Sequence, residues 1–177
     1  MNENNKIVIY TDGSSLGNPG PGGFGAVIWI EKENKIIEIG EASEGSTTNN
    51  RMEITAAIES ILAVKNYEGQ IIIYTDSEYL LNGITKWIFG WIKKGWRTAD
   101  KKPVLNQDLW ERLHLAVQER ENGKSKIKWI RVPGHMGHLG NERADTIATA
   151  CAEGNDVVFA HGTKEEYEKL FGGKLVV

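Results

Sequence analysis

The sequence contains a single cysteine, Cys151, among 177 residues. One cysteine excludes an intramolecular disulfide and a metal site built from cysteines alone, and it fits a reducing compartment. No apolar run approaches the ~20 residues that a membrane-spanning helix needs. The first residues, MNENNK, lack the basic-then-apolar pattern of a signal peptide. We therefore expect a cytoplasmic protein with no membrane partner.

The chain has no overall excess of positive charge, since its 21 lysines and arginines are outnumbered by 24 acids, but six of its basic residues are concentrated in one window, 86–102. The window has six basic residues against one acid, so it carries +5 while the rest of the chain carries −8. Exposed aromatics interleaved with cations are typical of nucleic-acid grooves. The alternative for Trp87 and Trp91, which are four residues apart, is a core stripe on one helix face. The window holds Lys86, Trp87, Trp91, Lys93, Lys94, Trp96, Arg97, Lys101 and Lys102.

Two similar segments indicate the centre of the fold. KIVIYTDG (6–13) and QIIIYTDS (70–77) are both β-branched apolar runs that end in Tyr-Thr-Asp. Continuous runs of this kind suit strands that are buried on both faces, as in the parallel part of an α/β sheet. Each strand should deliver its aspartate at its carboxyl end, where open α/β sheets place their sites. We therefore expect Asp12 and Asp76 to lie side by side.

The remaining patterns complete an α/β domain with a five-stranded mixed sheet flanked by helices. A glycine–proline turn leads into two meander strands, AVIWI and KIIEIG, and KIKWIRV (126–132) is the fifth strand. The predicted helices are 49–65, 77–84, 106–120 and 141–153, with a short capped helix over 163–171. At this length a single domain is expected. We assign it to residues 1–153 and treat residues 154–177 as a C-terminal extension of unknown role.

Four acids are candidates for a site, although each has a structural alternative. Asp12-Gly13 would suit a plain turn, and Asn50-x-x-Glu53 has the pattern of a capping box. Asp76 would cap a helix that begins near Ser77, and Asp145 would lie on a solvated helix face. Taken together, carboxylates in one cleft repel each other and raise a pKa unless a cation is present. Hard divalent ions suit all-oxygen ligands, and pairs of such ions serve phosphodiester displacement.

Five blocks of the sequence resemble ribonuclease H type 1, in order and at about the family's spacing. The match covers residues 6–153 and leaves the extension outside. The blocks are YTDGSSLGNPGPGG, TTNNRMEITAA, YTDSEYLLNGI, GWIKKGWRTADKKPVLNQDLW and VPGHMGHLGNERAD.

The resemblance implies a ribonuclease H-like fold and an endonuclease that hydrolyses the RNA strand of an RNA–DNA hybrid, leaving 5′-phosphate and 3′-hydroxyl ends. It implies two Mg²⁺ ions, for which Mn²⁺ would substitute, on the four acids. Asp12 would bridge both ions, and Asp145 would hold the ion that activates the attacking water. Glu53 and Asp76 would hold the ion on the leaving-oxygen side. A monomer without a small-molecule cofactor is expected.

The loop PGHMGHLG carries His135, which matches the family's loop histidine, thought to relay a proton or to help product leave. The alternative is a solvent-exposed loop histidine, because a pKa near ~6.5 makes the residue useful or merely polar. His135 and His138 also form H-x-x-H, but no cysteine lies nearby and a glycine-rich loop is a poor zinc frame. His138 is interpreted as structural.

The family pattern also assigns substrate contacts. Contacts to the RNA 2′-hydroxyl and to the strand backbones fall on Asn18, Asn49 and Asn50, whose amides both donate and accept. The structural alternative is that Asn18 shapes its turn and that Asn49 or Asn50 caps a helix. Thr48 and Asn106 match a pocket for a phosphate of the DNA strand. The basic window would engage phosphates and line the DNA sugars, through Trp87, Trp91, Lys93, Lys94 and Arg97 above all, with Trp96 packing inside it.

One departure from the family concerns Glu78, which stands where better-known members have an uncharged residue that contacts the hybrid. A carboxylate there would weaken that contact or point away. Two other functions remain open from the sequence. One is a fold relative such as an integrase or transposase domain acting on DNA, and the other is a hybrid-binding module that does not cut.

Overall fold

The computed structural model describes residues 5–122, 124, 126–133 and 137–175. It confirms a mixed sheet flanked by helices, with strand order β5-β4-β1-β2-β3-β6. The strands are β1 Lys6–Ser15, β2 Gly20–Ile30, β3 Lys35–Thr47, β4 Gln70–Thr75, β5 Lys128–Arg131 and β6 His161–Gly162. The helices are α1 Asn49–Ala63, α2 Glu78–Asn82, α3 Ile88–Lys93, α4 Gln107–Glu121, α5 Leu139–Ala152 and α6 Lys164–Phe171.

The two Tyr-Thr-Asp strands are neighbours, as predicted. β1 pairs in parallel with β4, and Tyr10 lies opposite Tyr74. Asp12 and Asp76 follow these tyrosines by two residues each, so they leave the paired strands at the same edge of the sheet. β1 is also paired with β2 in antiparallel register on its other side, which makes it a central strand.

Side chains of β1 alternate between two cores, one on each face of the sheet. Ile7 and Ile9 are fully buried in a cluster that includes residues of α1 and α4. Val8 and Tyr10 are buried in a second cluster, which includes residues of α5 and α6. Because successive side chains of a strand point to opposite faces, the continuous apolar run is buried on both sides.

The sheet has six strands instead of the predicted five because the C-terminal extension supplies the last one. His161 and Gly162 pair with Ile37 and Ile36 of β3, and so cover a short part of this edge strand. The predicted short helix over 163–171 is confirmed as α6. It begins with a capping box in which Thr163 and Glu166 bond to each other's backbone N–H groups.

The predicted helix over 77–84 ends earlier than its apolar pattern suggested and continues in another geometry. α2 is followed by a π-helical turn, Gly83–Trp87, which leads directly into α3. Gly83 lies against the buried ring of Trp110, and a Cβ at this position would overlap that ring. Among the described residues, no helix is both long enough and apolar enough to cross a membrane.

The contact between Gly83 and Trp110 predicts a measurable stability difference. Gly83→Ala should lower the free energy of unfolding by about 1–3 kcal/mol, because the added methyl group forces the Trp110 ring to shift in a close-packed core. Gly90→Ala is the matched control, since a Cβ at Gly90 of α3 meets nothing within 4 Å. The control should be neutral or stabilising, as is usual for glycine in a helix. Urea unfolding measures both variants, and equal stabilities would contradict the packing account.

Candidate metal centre and nucleic-acid surface

Three carboxylates converge just beyond the point where the parallel pairing of β1 with β4 ends. Asp12, Glu53 and Asp76 each offer an oxygen atom, and these atoms all lie within 4.8 Å of one another. Asp12 and Glu53 are buried, and Asp76 is half-buried. Asp12 comes from β1, Glu53 from α1, and Asp76 follows β4 directly. The sequence-predicted acids therefore form a real cluster, with the all-oxygen donor set that hard divalent cations prefer.

Two glycines let the helices approach the strands that carry this cluster. Gly13 lies within β1, so the plain turn considered for Asp12-Gly13 is wrong. A Cβ on Gly13 would overlap the backbone of Met52 and Glu53 in α1. Gly25, which pairs with Asp12, is packed in the same way against Ala144 of α5. Close backbone contact at these glycines brings α1 and α5 to the edge where the carboxylates meet.

Asp145 joins the cluster through Asp12. It lies half-buried on α5, close enough to Asp12 to raise the pKa of that carboxyl, so it does not lie on a fully solvated helix face. Burial is the main cause that raises the pKa of Asp12 to about 8, and repulsion from Asp76 and Asp145 adds to it. Burial, followed by repulsion from Asp12 and Asp76, raises the pKa of Glu53 well above its usual range. Asp12 thus interacts with all three other acids.

Neither Glu53 nor Asp76 caps a helix, although the sequence allowed that interpretation of both acids. The N-cap of α1 is Thr48, whose hydroxyl accepts a hydrogen bond from the backbone N–H of Arg51 at 3.3 Å. The capping box at Asn50 and Glu53 is therefore wrong, as is a cap by Asn49 or Asn50. Ser77, and not Asp76, caps α2 by accepting from the backbone N–H of Leu80 at 3.2 Å. The carboxylates of Glu53 and Asp76 serve no capping role.

Sequence reasoning missed Asn141, which belongs to the cluster. Its side-chain nitrogen donates to Asp76 Oδ2 at 3.4 Å, and the residue is only 3% exposed. Asn141 Oδ1 and Glu53 Oε2 are both buried without a hydrogen-bond partner among the described residues. Asn141 precedes Asp145 by four residues in GNERAD, and this helical spacing was the available signal. Unpartnered buried oxygens beside a carboxylate cluster fit a site that binds a cation.

The candidate contacts to the 2′-hydroxyl lie together, at the start of α1 and in the loop that precedes β2. The Asn18 side-chain oxygen accepts from the backbone N–H of Asn49 at 3.3 Å, and Asn49 Oδ1 accepts from the Ser15 hydroxyl at 2.9 Å. Asn18, Asn49 and Asn50 are all exposed. Asn18 therefore organises its loop, as the structural alternative held, while the amides stay open to solvent.

The candidate phosphate pocket is joined by Arg51, which sequence reasoning did not assign. The Arg51 guanidinium donates to Asn106 Oδ1 at 3.3 Å and forms an ion pair with Asp108 at 2.6 Å. Its backbone N–H bonds to Thr48, so it connects Thr48 of α1 with Asn106 at the start of α4. Thr48 and Asn106 are thus linked through the backbone and the side chain of Arg51. The sequence signal for this residue was its place in the NNRME motif.

The basic window forms a protrusion, residues 86–102, which begins in the π-helical turn and includes α3. Trp87 is 41% exposed, and Trp91 is half-buried with its ring 5.8 Å from that of Trp87. Both tryptophans line a cavity of about 390 Å³ together with Lys86, Lys94 and Arg97. Trp91 also packs on the core tryptophan Trp110, so this side chain both lines the cavity and contacts the core, as the core-stripe alternative held. Trp96, also half-buried, packs against the same core cluster.

The cations of the protrusion have no acidic partner within the part of the chain that the structure describes. This applies to all six, which include Lys93, Lys94 and Arg97, although Arg97 donates to the backbone oxygen of Lys101 at 3.0 Å. Glu78, in contrast, forms an exposed ion pair with Arg131 of β5 at 2.7 Å. Its carboxylate is therefore locally neutralised, and the positive field of the protrusion is left to an outside anion.

The motif PGHMGHLG contributes His138 to the start of α5. His135 lies outside the described residues. His138 is the N-cap residue of α5, and its backbone oxygen accepts from the N–H of Glu142 at 3.0 Å. This position fits the structural interpretation of His138.

Comparison with known proteins identifies the family. The family model described as RNase H matches residues 4–153. Ribonuclease H of Escherichia coli O139:H28 is 50% identical over 147 residues, which cover 83% of this chain and 89% of that protein. Ribonuclease H of Shigella boydii serotype 18 matches with the same identity and coverage.

Solved structures agree with the sequence comparison. LC9-RNase H1, described as a type 1 RNase H with the type 2 active-site motif, superposes with a TM-score of 0.77 at 27% identity, covering 97% of this chain and 87% of that one. LC11-RNase H1, solved in complex with an RNA/DNA hybrid, has a TM-score of 0.61 at 27% identity and covers 84% of this chain and 97% of that one. The chain therefore belongs to the ribonuclease H family, as a type 1 member.

Proposed function

We propose that this protein is an endonuclease that hydrolyses the RNA strand of RNA–DNA hybrids with bound Mg²⁺, leaving 5′-phosphate and 3′-hydroxyl ends. The observation that carries the proposal is the cluster of Asp12, Glu53 and Asp76, with Asp145 close enough to Asp12 to raise its pKa, just beyond the parallel pairing of β1 with β4. A cluster of buried acids opposes folding unless a cation offsets the repulsion. Membership of the ribonuclease H family identifies the reaction, and the acids are the residues that would bind the metal ions.

The four acids would hold the ions, and Asp12 is the central residue of this set because it interacts with the other three. When bound, a pair of divalent ions acidifies the attacking water and neutralises charge on the departing 3′-oxygen. The protein's own part is to hold the carboxylates in place, and a bound cation would favour their ionised forms. Asn141 orients Asp76, while Gly13 and Gly25 bring α1 and α5 close to β1 and β2. Mn²⁺ is expected to substitute for Mg²⁺, because both accept oxygen ligands.

Substrate binding is assigned to surfaces outside the carboxylate cluster, since negative charge repels phosphate. The exposed amides of Asn18, Asn49 and Asn50 would read the RNA 2′-hydroxyl, which distinguishes RNA from DNA. Thr48 and Asn106, joined by Arg51, would hold a phosphate of the DNA strand. The unpaired cations and the exposed Trp87 of the protrusion would follow the DNA backbone.

The first prediction concerns cleavage. The native chain should cut end-labelled RNA in an RNA–DNA hybrid, but not in an RNA duplex or as a single strand, and chelator should abolish cutting. Asp12→Asn should reduce the rate by about 10²–10⁴-fold, because metal stabilisation of the transition state is worth several kcal/mol. Asp156→Asn, which changes an exposed acid of the extension, should cut at the native rate. Tight hybrid binding with no cutting in Mg²⁺ or Mn²⁺ would support a binding module instead.

The second prediction concerns stability without metal. Because the folded pKa of Asp12 is about 8 and its ordinary value is 3.8, the folded state retains a proton that the unfolded chain releases. Stability should therefore fall as pH rises from about 4 to about 8. At pH 8 in chelator, Asp12→Asn should be more stable than the native chain by about 1–3 kcal/mol, the usual cost of an uncompensated buried polar group.

Urea unfolding in chelator between pH 5 and pH 8 measures this difference. The gap between variant and native chain should widen with pH and close when Mg²⁺ is added, because the ion stabilises only the native cluster. A gap that does not change with pH or with Mg²⁺ would mean that the acids do not interact as described.

The third prediction concerns the protrusion. Replacing Lys93, Lys94 and Arg97 by alanine should weaken hybrid binding and lower the slope of log affinity against log salt by about 0.7–0.9 for each phosphate that is no longer neutralised. Replacing three exposed lysines elsewhere, Lys65, Lys124 and Lys169, is the charge-matched control. Both triple variants are measured in an Asp12→Asn background, so that the hybrid stays intact. Equal salt slopes for the two would place the substrate elsewhere.

A further inference from the structure

The buried carboxylate of Glu38 on β3 joins α5 to the C-terminal extension. Its Oε1 accepts from Arg143 Nε at 2.8 Å and from the Tyr167 hydroxyl at 2.6 Å. Its Oε2 accepts from the second Arg143 nitrogen at 2.8 Å and from the backbone N–H of Ala160 at 2.7 Å. Arg143 belongs to α5, whereas Ala160 and Tyr167 belong to the extension, so one side chain connects three parts of the fold.

Glu38 is held in its charged form by these donors. Burial pushes the pKa of Glu38 upward, but the hydrogen bonds from Arg143, Tyr167 and Ala160 outweigh burial and leave the pKa below its ordinary value. Charge-assisted hydrogen bonds of this kind are short and directional. The group therefore defines one geometry for α5 relative to the sheet and the extension.

Arg143 is also held by the extension directly. Its guanidinium donates to the backbone oxygen of Val158 at 3.0 Å and lies 4.9 Å from the centre of the Phe171 ring. Arg143 precedes Asp145 by two residues, which corresponds to about 3 Å along the helix axis. A shift of α5 that moves Arg143 therefore moves Asp145 by a similar distance.

The end of the extension packs against the first turn of α5. Leu175 and Leu139 are buried in the same apolar cluster, and Gly173 lies beside the Leu139 side chain. Glu168 of α6 anchors this end by accepting from the backbone N–H of Leu175 at 3.0 Å and from Lys174 Nζ at 2.7 Å. The same turn of α5 carries Asn141, which donates to Asp76.

Apolar contacts alone would leave the position of α5 poorly defined. α5 lies on the sheet through small and branched residues such as Ala144, Ile147 and Ala148, packed against Gly23 and Gly25 of β2. The hydrophobic effect is not directional, so such contacts set the distance between helix and sheet but only weakly its axial position. Away from the carboxylate cluster, the ion pair of Arg143 with Glu38 fixes the position of α5 along its axis, because charge-assisted hydrogen bonds are directional.

We propose that the C-terminal extension, residues 154–175, positions α5 and thereby Asp145 for the nuclease reaction, with Glu38 as the positioning residue that joins extension and helix. The proposal rests on the proposed function of the carboxylate cluster. The extension lies beyond the residues matched by the family model, which ends at residue 153. Its role is therefore more than to cover the edge of β3, because it also sets the geometry of a metal-binding side chain.

Two variants test the proposal. Tyr167→Phe removes one hydrogen bond to Glu38 and keeps the ring, and Glu38→Gln keeps the shape but removes the charge. Both should weaken Mg²⁺ binding in the absence of substrate, and lower kcat, by about 10–100-fold, the usual effect of removing a partner that orients a metal ligand. KM for the hybrid should stay unchanged, because the protrusion is untouched. Calorimetric titration with Mg²⁺ and steady-state cleavage give the two readouts, well below the melting temperature of each variant.

Two controls separate positioning from general stability. Val64→Ala removes packing from the core on the opposite face of the sheet and should lower the melting temperature without changing Mg²⁺ affinity or kcat. Glu165→Ala removes one of the extension's hydrogen bonds with Asn34, a contact that does not involve α5, and should also leave both readouts unchanged. If Tyr167→Phe and Glu38→Gln behave like Val64→Ala, the extension only stabilises the fold and the proposal is overturned.

Failure of the proposed function is distinguishable from failure of this inference. A native chain that binds Mg²⁺ but does not cut the hybrid would refute the nuclease reaction, and the calorimetric comparison would still decide whether Glu38 positions Asp145. A native chain that binds no Mg²⁺ would overturn both proposals. Should Glu38→Gln fail to fold, Tyr167→Phe alone decides the outcome, since it removes a single hydroxyl group.

Discussion

The parallel pairing of β1 with β4 is the constraint on which the rest of the structure depends. It brings Asp12 and Asp76 to one edge of the sheet, where α1 adds Glu53 and α5 adds Asp145. Burying like charges together opposes folding. The cluster can therefore exist only because the strands behind it are buried on both faces, in two cores that hold β1 rigidly. The site is an unfavourable arrangement that the apolar core stabilises and that a cation would relieve.

Charge is separated along the molecule for a related reason. The acids that suit a cation would repel a polyanionic substrate, so binding and chemistry need different surfaces. The protrusion provides cations without acidic partners in the described structure, and its tryptophans connect it to the core through Trp110. Glu78 is paired with Arg131, so its negative charge is locally neutralised. A chain that is acidic overall can thus bind nucleic acid through one basic arm.

The C-terminal extension lies beyond the residues that the family model matches, yet it is packed into the same fold. Its strand covers part of β3, its helix buries Tyr167, and its backbone supplies a donor to Glu38. Each carboxylate oxygen of Glu38 accepts two hydrogen bonds. A buried charge with all its hydrogen bonds formed can specify geometry instead of only destabilising the fold. The helix that the network fixes is the one that carries Asp145 and Asn141.

The sequence by itself determined the elements and the positions of the carboxylates, because these depend on local patterns. KIVIYTDG and QIIIYTDS have the apolar runs of doubly buried strands, and TKEEYEKLF has a capped helical pattern, so both were predictable. Only the tertiary structure decided that Gly13 is a packing site and not a turn, that Thr48 and not Asn50 caps α1, and that a sixth strand exists. The side-chain contacts of Arg51, Asn141 and Glu38 are likewise visible only in the tertiary structure. Glu38 lies 105 residues from Arg143 and 129 from Tyr167, and contacts over such separations leave no periodic signal in the chain.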